Sequence, residues 1–241
     1  MSRPQRIAVV LTHGAFAESA IWNRVIRRLK HRGYDVTAVS NPLRGVADDA
    51  AYVRDVVSGL SRPVVLVGHA YGGMVNSEAA AWNPAVRTLV YVAGLAPDPG
   101  ESAAQLTRAE PGSTLAENLV SSPLACGDRD LRIADHAYHR QFCADLTPDE
   151  AGLMAITQRP VTERALSEGL SVSKPGWRST PSWFVFGSRD VSIPPTVLRS
   201  MAERARSCGT REVPGASHAI PASEPDAVVA TIVDAARHLQ T

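Results

Sequence analysis

Two glycines frame the five-residue segment Gly68-His69-Ala70-Tyr71-Gly72, which joins two different secondary-structure patterns. The apolar run Val64–Val67 before it predicts a short buried strand, and residues 71–82 after it have the pattern of a helix. A strand that turns sharply into a helix brings its two backbone segments close together, so the framing positions need small residues. The middle side chain, that of Ala70, is then lifted above the end of a sheet.

Strand and helix patterns alternate on both sides of this turn. Apolar runs predict strands at residues 7–12, 35–39, 88–92 and 182–186. A helix is predicted from Ile21 to Arg32, and a second one, capped by Asp48 or Asp49, is predicted to reach Leu60. This alternation favours an α/β fold with a doubly wound, mostly parallel sheet and helices on both faces. Ligands then bind at the carboxyl ends of the strands.

The alternation stops after Gly94. Residues 95–178 have short helical patterns and several prolines, and we interpret them as a helical lid inserted into one core made of residues 1–94 and 179–241. One lid helix is predicted to open at Thr147-Pro148 and another to cover residues 162–170. Apolar lid residues are candidates for substrate contact: Tyr138, Phe142, Leu146, Leu153 and Met154.

Three further segments place polar groups after predicted strands. His13-Gly14-Ala15-Phe16 follows the first strand, and its loop can aim backbone N–H groups at a developing oxyanion. Gly187-Ser188-Arg189-Asp190 supplies an acid after the strand at 182–186, with Asp98 as a rival by position. Ser217-His218 follows a last predicted strand at 211–213. Turn, acid and histidine therefore occur in the order of a serine-hydrolase site.

These four segments resemble the α/β-hydrolase superfamily, and they span nearly the whole chain. Within it, the chain is most similar to small, lid-bearing bacterial esterase-like members, and distantly similar to plant methylesterases and hydroxynitrile lyases. The resemblance implies that Gly68–Gly72 is the nucleophile elbow, G-x-S-x-G, with Ala70 at the position of the serine. This departure concerns the chemistry and leaves the predicted fold unchanged.

The resemblance also assigns roles to the remaining site residues. His218 is the expected general base, and Asp190 orients it and stabilises its charged form. The backbone N–H of Tyr71 and that of Ala15 or Phe16 form the expected oxyanion hole. His13 and His69 are expected to support the loops. His136 and His139 have no ligand-spaced partner, so no metal site is predicted.

Ala70 leaves three explanations open. A serine replaced by alanine would delete the nucleophile of an esterase that acts on small to medium, largely apolar esters. A natural alanine would fit a lyase, cyclase, isomerase or cofactor-free decarboxylase in which His218 and Asp190 move protons. A non-catalytic binder of small molecules is the third. The elbow position usually has a positive φ, which alanine adopts at a cost and without chemical benefit, so the sequence favours the replaced serine.

Composition limits the partners. The 241 residues carry a formal net charge of +1, 44% are hydrophobic and 20% are charged, which favours neither nucleic acid nor a membrane surface. The polar segment Met1–Arg6 does not resemble a signal peptide, so a cytoplasmic protein is expected. Free thiols are expected at Cys126 and Cys143. No cofactor is implied, the expected partner is a small-molecule substrate, and a homodimer is left open.

Overall fold

The fold is built on two sheets. The computed structural model describes residues 7–239, so the interpretation of Met1–Arg6 lies outside the described residues. The strands are β1 (Ala8–Thr12), β2 (Asp35–Val39), β3 (Val64–His69), β4 (Val86–Val92), β5 (Leu119–Pro123), β6 (Arg129–Ile133), β7 (Val161–Thr162), β8 (Ser182–Gly187) and β9 (Gly209–Val213). The main sheet has the order β2-β1-β3-β4-β8-β9, and all of these pairings are parallel.

Burial follows the strand order of the main sheet. Every residue of β1, β3 and β8 is buried, as the continuous apolar runs of these strands require of central parallel strands. The edge strands β2 and β9 are partly exposed. The predicted doubly wound, mostly parallel sheet is therefore confirmed.

Ten helices connect and cover the strands in the described part of the chain. They are α1 (Asn23–His31), α2 (Val46–Gly59), α3 (Tyr71–Ala79), α4 (Ala103–Leu106), α5 (Asp135–Phe142), α6 (Pro148–Thr157), α7 (Glu163–Ser167), α8 (Pro195–Arg204), α9 (Ile220–Ser223) and α10 (Pro225–Arg237). Right-handed crossovers place α1 on the opposite face of the sheet from α2 and α3. α1 packs against α10, and α2 packs against α3.

The strand order reverses between β1 and β3, which are neighbours in the sheet although β2 lies between them in the chain. Such a reversal opens a crevice at the carboxyl ends of the two strands. The loop at His13 leaves β1 and the turn at Ala70 leaves β3, so both enter this crevice.

Two helix starts differ from the predictions. A 3-10 turn, Ser19–Trp22, precedes α1, which begins two residues later than predicted. α2 begins at Val46, and Asp48 and Asp49 lie in its first turn, so neither caps it. The Asp49 carboxylate instead accepts bonds from the Arg44 N–H at 3.1 Å and the Tyr71 hydroxyl at 2.9 Å.

The segment between β4 and β8 contains more than helices. It holds α4 to α7 and a three-stranded antiparallel sheet, β5-β6-β7, which the interpretation as a purely helical lid did not include. The chain reverses between β5 and β6 in a turn in which the Leu124 N–H donates to the Asp128 carbonyl, and Gly127 takes a φ of 88°. Four residues of β5 are exposed, so the strand lacks the apolar pattern that would have predicted it.

No helix within residues 7–239 is long and apolar enough to cross a membrane. Cys126 is exposed, Cys143 is buried, and both are free thiols.

Candidate active site

The turn between β3 and α3 places Ala70 at the carboxyl edge of the sheet. Ala70 has a φ of 49° and a ψ of −121°, a region that non-glycine residues enter at a cost of about 1–3 kcal/mol. A Cβ on Gly68 would lie 2.6 Å from the Gly73 Cα, and one on Gly72 would lie 2.5 Å from the Thr12 carbonyl oxygen. Only glycine allows these approaches, so the frame of the turn holds Ala70 in its strained conformation.

The loop after β1 lies directly against this turn. A Cβ on Gly14 would be 2.7 Å from the Ala70 Cβ and 3.3 Å from the Tyr71 nitrogen. Among the residues that the structure describes, the N–H groups of Phe16 and Tyr71 donate to no protein acceptor. Tyr71 is the first residue of α3, where a helix leaves its N–H groups unpaired. These two groups can together bind a negatively charged oxygen.

His13 fixes the start of this loop. Its Nδ1–H donates to the Gly14 carbonyl at 2.9 Å, and its Nε2 accepts from the Asn41 N–H at 3.0 Å. The Asn41 side chain in turn donates to the His13 carbonyl at 3.0 Å. Burial lowers the pKa of His13 from 6.5 to about 4, so the ring is neutral at pH 7 and Nε2 remains an acceptor.

His218 and Asp190 form a buried dyad. His218 Nδ1–H donates to Asp190 Oδ2 at 2.6 Å, and both side chains are almost fully buried. The other carboxylate oxygen accepts from the N–H groups of Ser192 at 2.8 Å and Ile193 at 2.9 Å. Asp190 is therefore held by three donors, and the Nε2 of His218 remains free to exchange a proton. Asp98 pairs with Arg178 and Arg204 instead.

His69 supports His218 from behind. Its Nε2–H donates to the His218 carbonyl oxygen at 3.0 Å, and the two ring centres are 4.8 Å apart. Burial, together with repulsion from His218, lowers the pKa of His69 well below its usual value. A neutral His69 thus fixes the backbone of the histidine loop and adds no competing charge beside the dyad.

Helix α5 contacts all three loops of the site. The Tyr138 hydroxyl donates to the Phe16 carbonyl at 2.8 Å. The Gln141 side chain donates to the Val191 carbonyl at 2.9 Å, in the loop that carries the acid. At the end of the helix, the Phe142 carbonyl accepts from the Ala219 N–H at 2.9 Å, and just after it the Asp145 carboxylate accepts from the hydroxyl of Ser217 and from its N–H. This one inserted helix therefore contacts the loop after β1, the acid loop and the histidine loop.

Ala70 and His218 line the same cavity, whose volume is about 30 Å³. The other lining residues are Ala15, Phe16, Tyr71, Leu95, Ala103, Thr107, Leu115, Phe142, Leu166, Ser192 and Ile193. None of these residues is an Asp, Glu, Lys or Arg. The hydroxyl of Tyr71 points away to Asp49, and that of Ser192 donates to the Gln141 carbonyl. The surface offered to a ligand is therefore largely apolar.

The structure separates the predicted lid contacts. Phe142 lines the cavity, and its ring centre lies 5.0 Å from that of His218. Tyr138 and Met154 line a neighbouring pocket of about 100 Å³, with Tyr138 fully buried. Leu146 is half-buried, and its carbonyl accepts from His139; Leu153 is two-thirds exposed.

Several cavity residues were not predicted from the sequence. Leu95, Ala103, Thr107, Leu115 and Leu166 come from the first quarter and the end of the inserted segment, where no motif marks them. Ser192 and Ile193 follow Asp190 by two and three residues and donate their N–H groups to its carboxylate, so the position of the acid could have indicated them. Within residues 7–239, no group of three or more His, Cys, Asp or Glu side chains is arranged to hold a metal ion.

Comparisons with curated proteins show relatives of low identity over nearly the whole chain. Methylesterase 11 of Arabidopsis thaliana is 24% identical over 95% of this chain, which spans only 63% of that protein's length. The alpha/beta hydrolase nvfD of Aspergillus novofumigatus is 26% identical, with 95% of this chain and 96% of that protein covered. The alpha-hydroxynitrile lyase of Arabidopsis thaliana is 25% identical, covering 90% and 92%.

Solved structures share the fold at still lower identity. Polyneuridine aldehyde esterase superposes with a TM-score of 0.80 at 19% identity, covering 96% of this chain and 99% of that one. Methylketone synthase I of tomato, in complex with 2-tridecanone, gives a TM-score of 0.79 at 20% identity, covering 98% and 99%. The model of the alpha/beta hydrolase family matches residues 9–231, from the first strand to the last helix. The chain therefore belongs to the alpha/beta hydrolase family.

Proposed function

We propose that this site is that of a carboxylic ester hydrolase whose nucleophile position is occupied by alanine, and that the chain as it stands does not hydrolyse esters. The observation that carries the proposal is the conformation of Ala70. Its strained φ of 49° keeps the Cβ in the cavity that His218 also lines, beside the free N–H groups of Phe16 and Tyr71. A methyl group gains nothing from this conformation, whereas a hydroxyl there could attack an acyl carbon.

The residues present support acyl transfer once an oxygen is supplied at position 70. The Nε2 of His218 takes the hydroxyl proton while the oxygen attacks the ester carbonyl, and the N–H groups of Phe16 and Tyr71 bind the oxyanion. Collapse of the intermediate transfers the proton from His218 to the departing alcohol. Water, deprotonated by His218, then releases the acid and restores the hydroxyl. Asp190 stabilises the imidazolium in both halves of the cycle.

The apolar lining supports an uncharged substrate. No lysine or arginine lines the cavity, so a free carboxylate would enter without a partner, which is costly in a water-poor site. Methylesterase and esterase are also the activities in the names of two similar proteins. The proposed substrate is therefore a neutral ester of small to medium size with an apolar acyl group.

A second candidate is proton-transfer chemistry without a covalent step. The observation in its favour is that the His218–Asp190 dyad and both oxyanion donors are complete without an oxygen at position 70. A similar protein is named as a hydroxynitrile lyase. In this case alanine is the working residue, and His218 takes a proton from the substrate while the N–H groups stabilise an oxyanion.

The experiment compares the chain with Ala70→Ser on 4-nitrophenyl acetate, butanoate and hexanoate. Ala103→Ser is the matched control, because it adds a hydroxyl to the same cavity away from the elbow. We expect kcat/KM to rise by at least about a thousandfold in Ala70→Ser, since losing such a nucleophile costs up to about a million-fold. His218→Ala in the same background should remove the gain, and a fluorophosphonate should label only Ala70→Ser.

A folded Ala70→Ser that neither turns over these esters nor reacts with the phosphonate contradicts the proposal. Release of cyanide from mandelonitrile by the unaltered chain, lost in His218→Ala, would instead support the second candidate.

A further inference from the structure

The site cavity is too small for a substrate, and two larger concavities adjoin it. Its volume of about 30 Å³ holds roughly two water molecules. One is a groove of about 250 Å³, here called the outer groove, which is lined by Ala104, Leu119 and Leu131 and by two charged residues, Arg108 and Glu163. The other is the pocket of about 100 Å³ that Tyr138 lines, here called the inner pocket.

Only one layer of side chains separates the cavity from the outer groove. Thr107, Leu115 and Leu166 line both spaces, and all three are partly exposed. The Thr107 hydroxyl is bonded to its own helix, at Ala103 and Ala104. The two leucines have no polar group to hold them, so a change of side-chain rotamer, which is fast in exposed residues, can open this wall.

The wall toward the inner pocket is thicker and is fixed by a hydrogen bond. Among the described residues, none lines both the cavity and the inner pocket. Tyr138 and Phe16 lie between them, both buried and joined by the 2.8 Å bond from the hydroxyl to the carbonyl. Tyr138 also stacks on Phe142 with ring centres 5.1 Å apart. Opening on this side would break a buried hydrogen bond and separate packed rings.

We propose that the outer groove is a subsite for an unbranched apolar acyl chain, which passes from the site between Leu115 and Leu166 and lies along Leu119 and Leu131. The half-buried leucines supply an apolar floor, and the exposed Arg108 and Glu163 are the charged residues of the groove. This inference rests on the proposed site at Ala70. It assigns the specificity for chain length to Leu115 and Leu166, in place of the predicted contacts Tyr138 and Met154.

The unaltered chain tests the subsite directly, because an ester can bind to it without a serine to attack. Binding of methyl butanoate, hexanoate and octanoate is measured by titration calorimetry. We expect affinity to rise by about fourfold for each methylene buried. Leu166→Trp, which fills the opening, should remove this increase. Leu115→Trp is the second variant, and it decides the matter if Leu166→Trp does not fold.

Thr157→Trp is the matched control, because it adds the same bulk to the inner pocket. It should leave the dependence on chain length intact. The subsite is overturned if affinity does not change with chain length, if the tryptophans at 115 and 166 leave the increase in place, or if Thr157→Trp removes it.

The outcomes for the site and for the subsite are separable. Ala70→Ser on 4-nitrophenyl acetate tests the chemistry alone, since an acetyl group is too short to reach the outer groove. If Ala70→Ser does not hydrolyse the acetate but affinity for the methyl esters still rises with chain length, the proposed hydrolase is wrong and the subsite stands. If Ala70→Ser hydrolyses the acetate but affinity does not change with chain length, the hydrolase stands and the subsite is wrong.

Discussion

At position 70 the backbone conformation and the side chain do not suit each other. A φ of 49° with a ψ of −121° is a conformation that glycine adopts without strain, yet the residue is alanine. Its neighbours enforce the conformation, because the turn is closed by bonds from the Gly73 and Leu95 N–H groups to the Ala70 carbonyl. The strain is therefore a property of the frame and would be the same for serine.

We predict that Ala70→Gly stabilises the protein by about 1 kcal/mol. Relief of strain is worth about 1–3 kcal/mol, and the greater freedom of glycine in the unfolded chain removes part of it. Equilibrium urea unfolding measures the change, with Ala70→Ser as a control that should differ little from the unaltered chain. A loss of 1 kcal/mol or more in Ala70→Gly, as in an ordinary helix, would show that the turn is not strained.

His13 makes the stability of the protein depend on pH. Its pKa is near 6.5 in the unfolded chain and about 4 in the folded protein, so the unfolded state binds more protons between these values. The contribution of a neutral His13 to the free energy of unfolding is therefore complete above pH 6.5 and is lost as the pH falls toward 4. The full difference is about 3 kcal/mol.

We predict that this loss is reduced in His13→Asn. Urea unfolding at pH 7.5 and pH 4.5 gives the difference in stability for each protein. His69, whose pKa is lowered in the same direction, is present in both and cancels in the comparison. Equal pH dependence in the two proteins would mean that His13 is not kept neutral by burial.

The sequence predicts residues of the candidate site where a motif gives a local signal. Ala70, Asp190 and His218 each follow a strand and a turn, so strand order alone brings them to one edge of the sheet. The role of Asp49 had no such signal, because its partner Tyr71 is distant in the chain and an acid in a first helical turn is an ordinary stabilising feature.

At the scale of elements, α5 is the one that organises the site. The sequence predicted its side chains as substrate contacts because apolar residues line pockets and cores alike. The structure instead gives Tyr138 a hydrogen bond to the loop that carries Phe16, whose φ is 60°. We therefore propose that Tyr138 positions the Phe16 loop, whose N–H is one of the two proposed oxyanion donors.

Tyr138→Phe should lower kcat by about tenfold or more in the Ala70→Ser protein, with a smaller change in KM. The lost bond leaves the buried Phe16 carbonyl unpaired, which costs about 1–3 kcal/mol and loosens the loop. Steady-state kinetics on 4-nitrophenyl acetate measure the effect. Tyr52→Phe, in which the hydroxyl of a well-exposed tyrosine of α2 is removed, is the control. An unchanged kcat in Tyr138→Phe contradicts the role.

The antiparallel sheet β5-β6-β7 could not be predicted from the hydrophobic pattern of the sequence. The buried strands β1, β3 and β8 are continuous apolar runs, so they could be predicted with nearly correct ends. β5 and β6 form a half-exposed hairpin whose pairing depends on a turn at Gly127 and on contacts with β7, which is distant in sequence. Only the folded chain brings β7 to them.

At the scale of the whole molecule, the inserted segment is fastened to the core near its C-terminal end. Glu78 of α3 is buried, and its carboxylate accepts from the Ser171 N–H at 3.0 Å and from its hydroxyl at 2.7 Å. A further bond runs from the Thr162 N–H to the Leu43 carbonyl. These contacts position the segment over the carboxyl edge of the sheet.

Glu78→Ala should lower the free energy of unfolding by about 1 kcal/mol, because the N–H and the hydroxyl of Ser171 lose their acceptor. It should also speed cleavage after Arg164 and Arg178, the nearest arginines on either side of Ser171, in limited trypsin digestion. Glu203→Ala, at an exposed position on α8, should change neither. Equal digestion of the two variants would mean that Glu78 does not fasten the segment.

The contacts of α5 affect how chimeras between this protein and its relatives would behave. In many enzymes a specificity segment can be replaced while the catalytic residues stay where they were. Here the same helix supplies Phe142 to the cavity and contacts the loops that carry Phe16, Asp190 and His218. We therefore expect a graft of this segment from a relative to shift the Asp190–His218 dyad and the Phe16 loop together with the lining of the cavity.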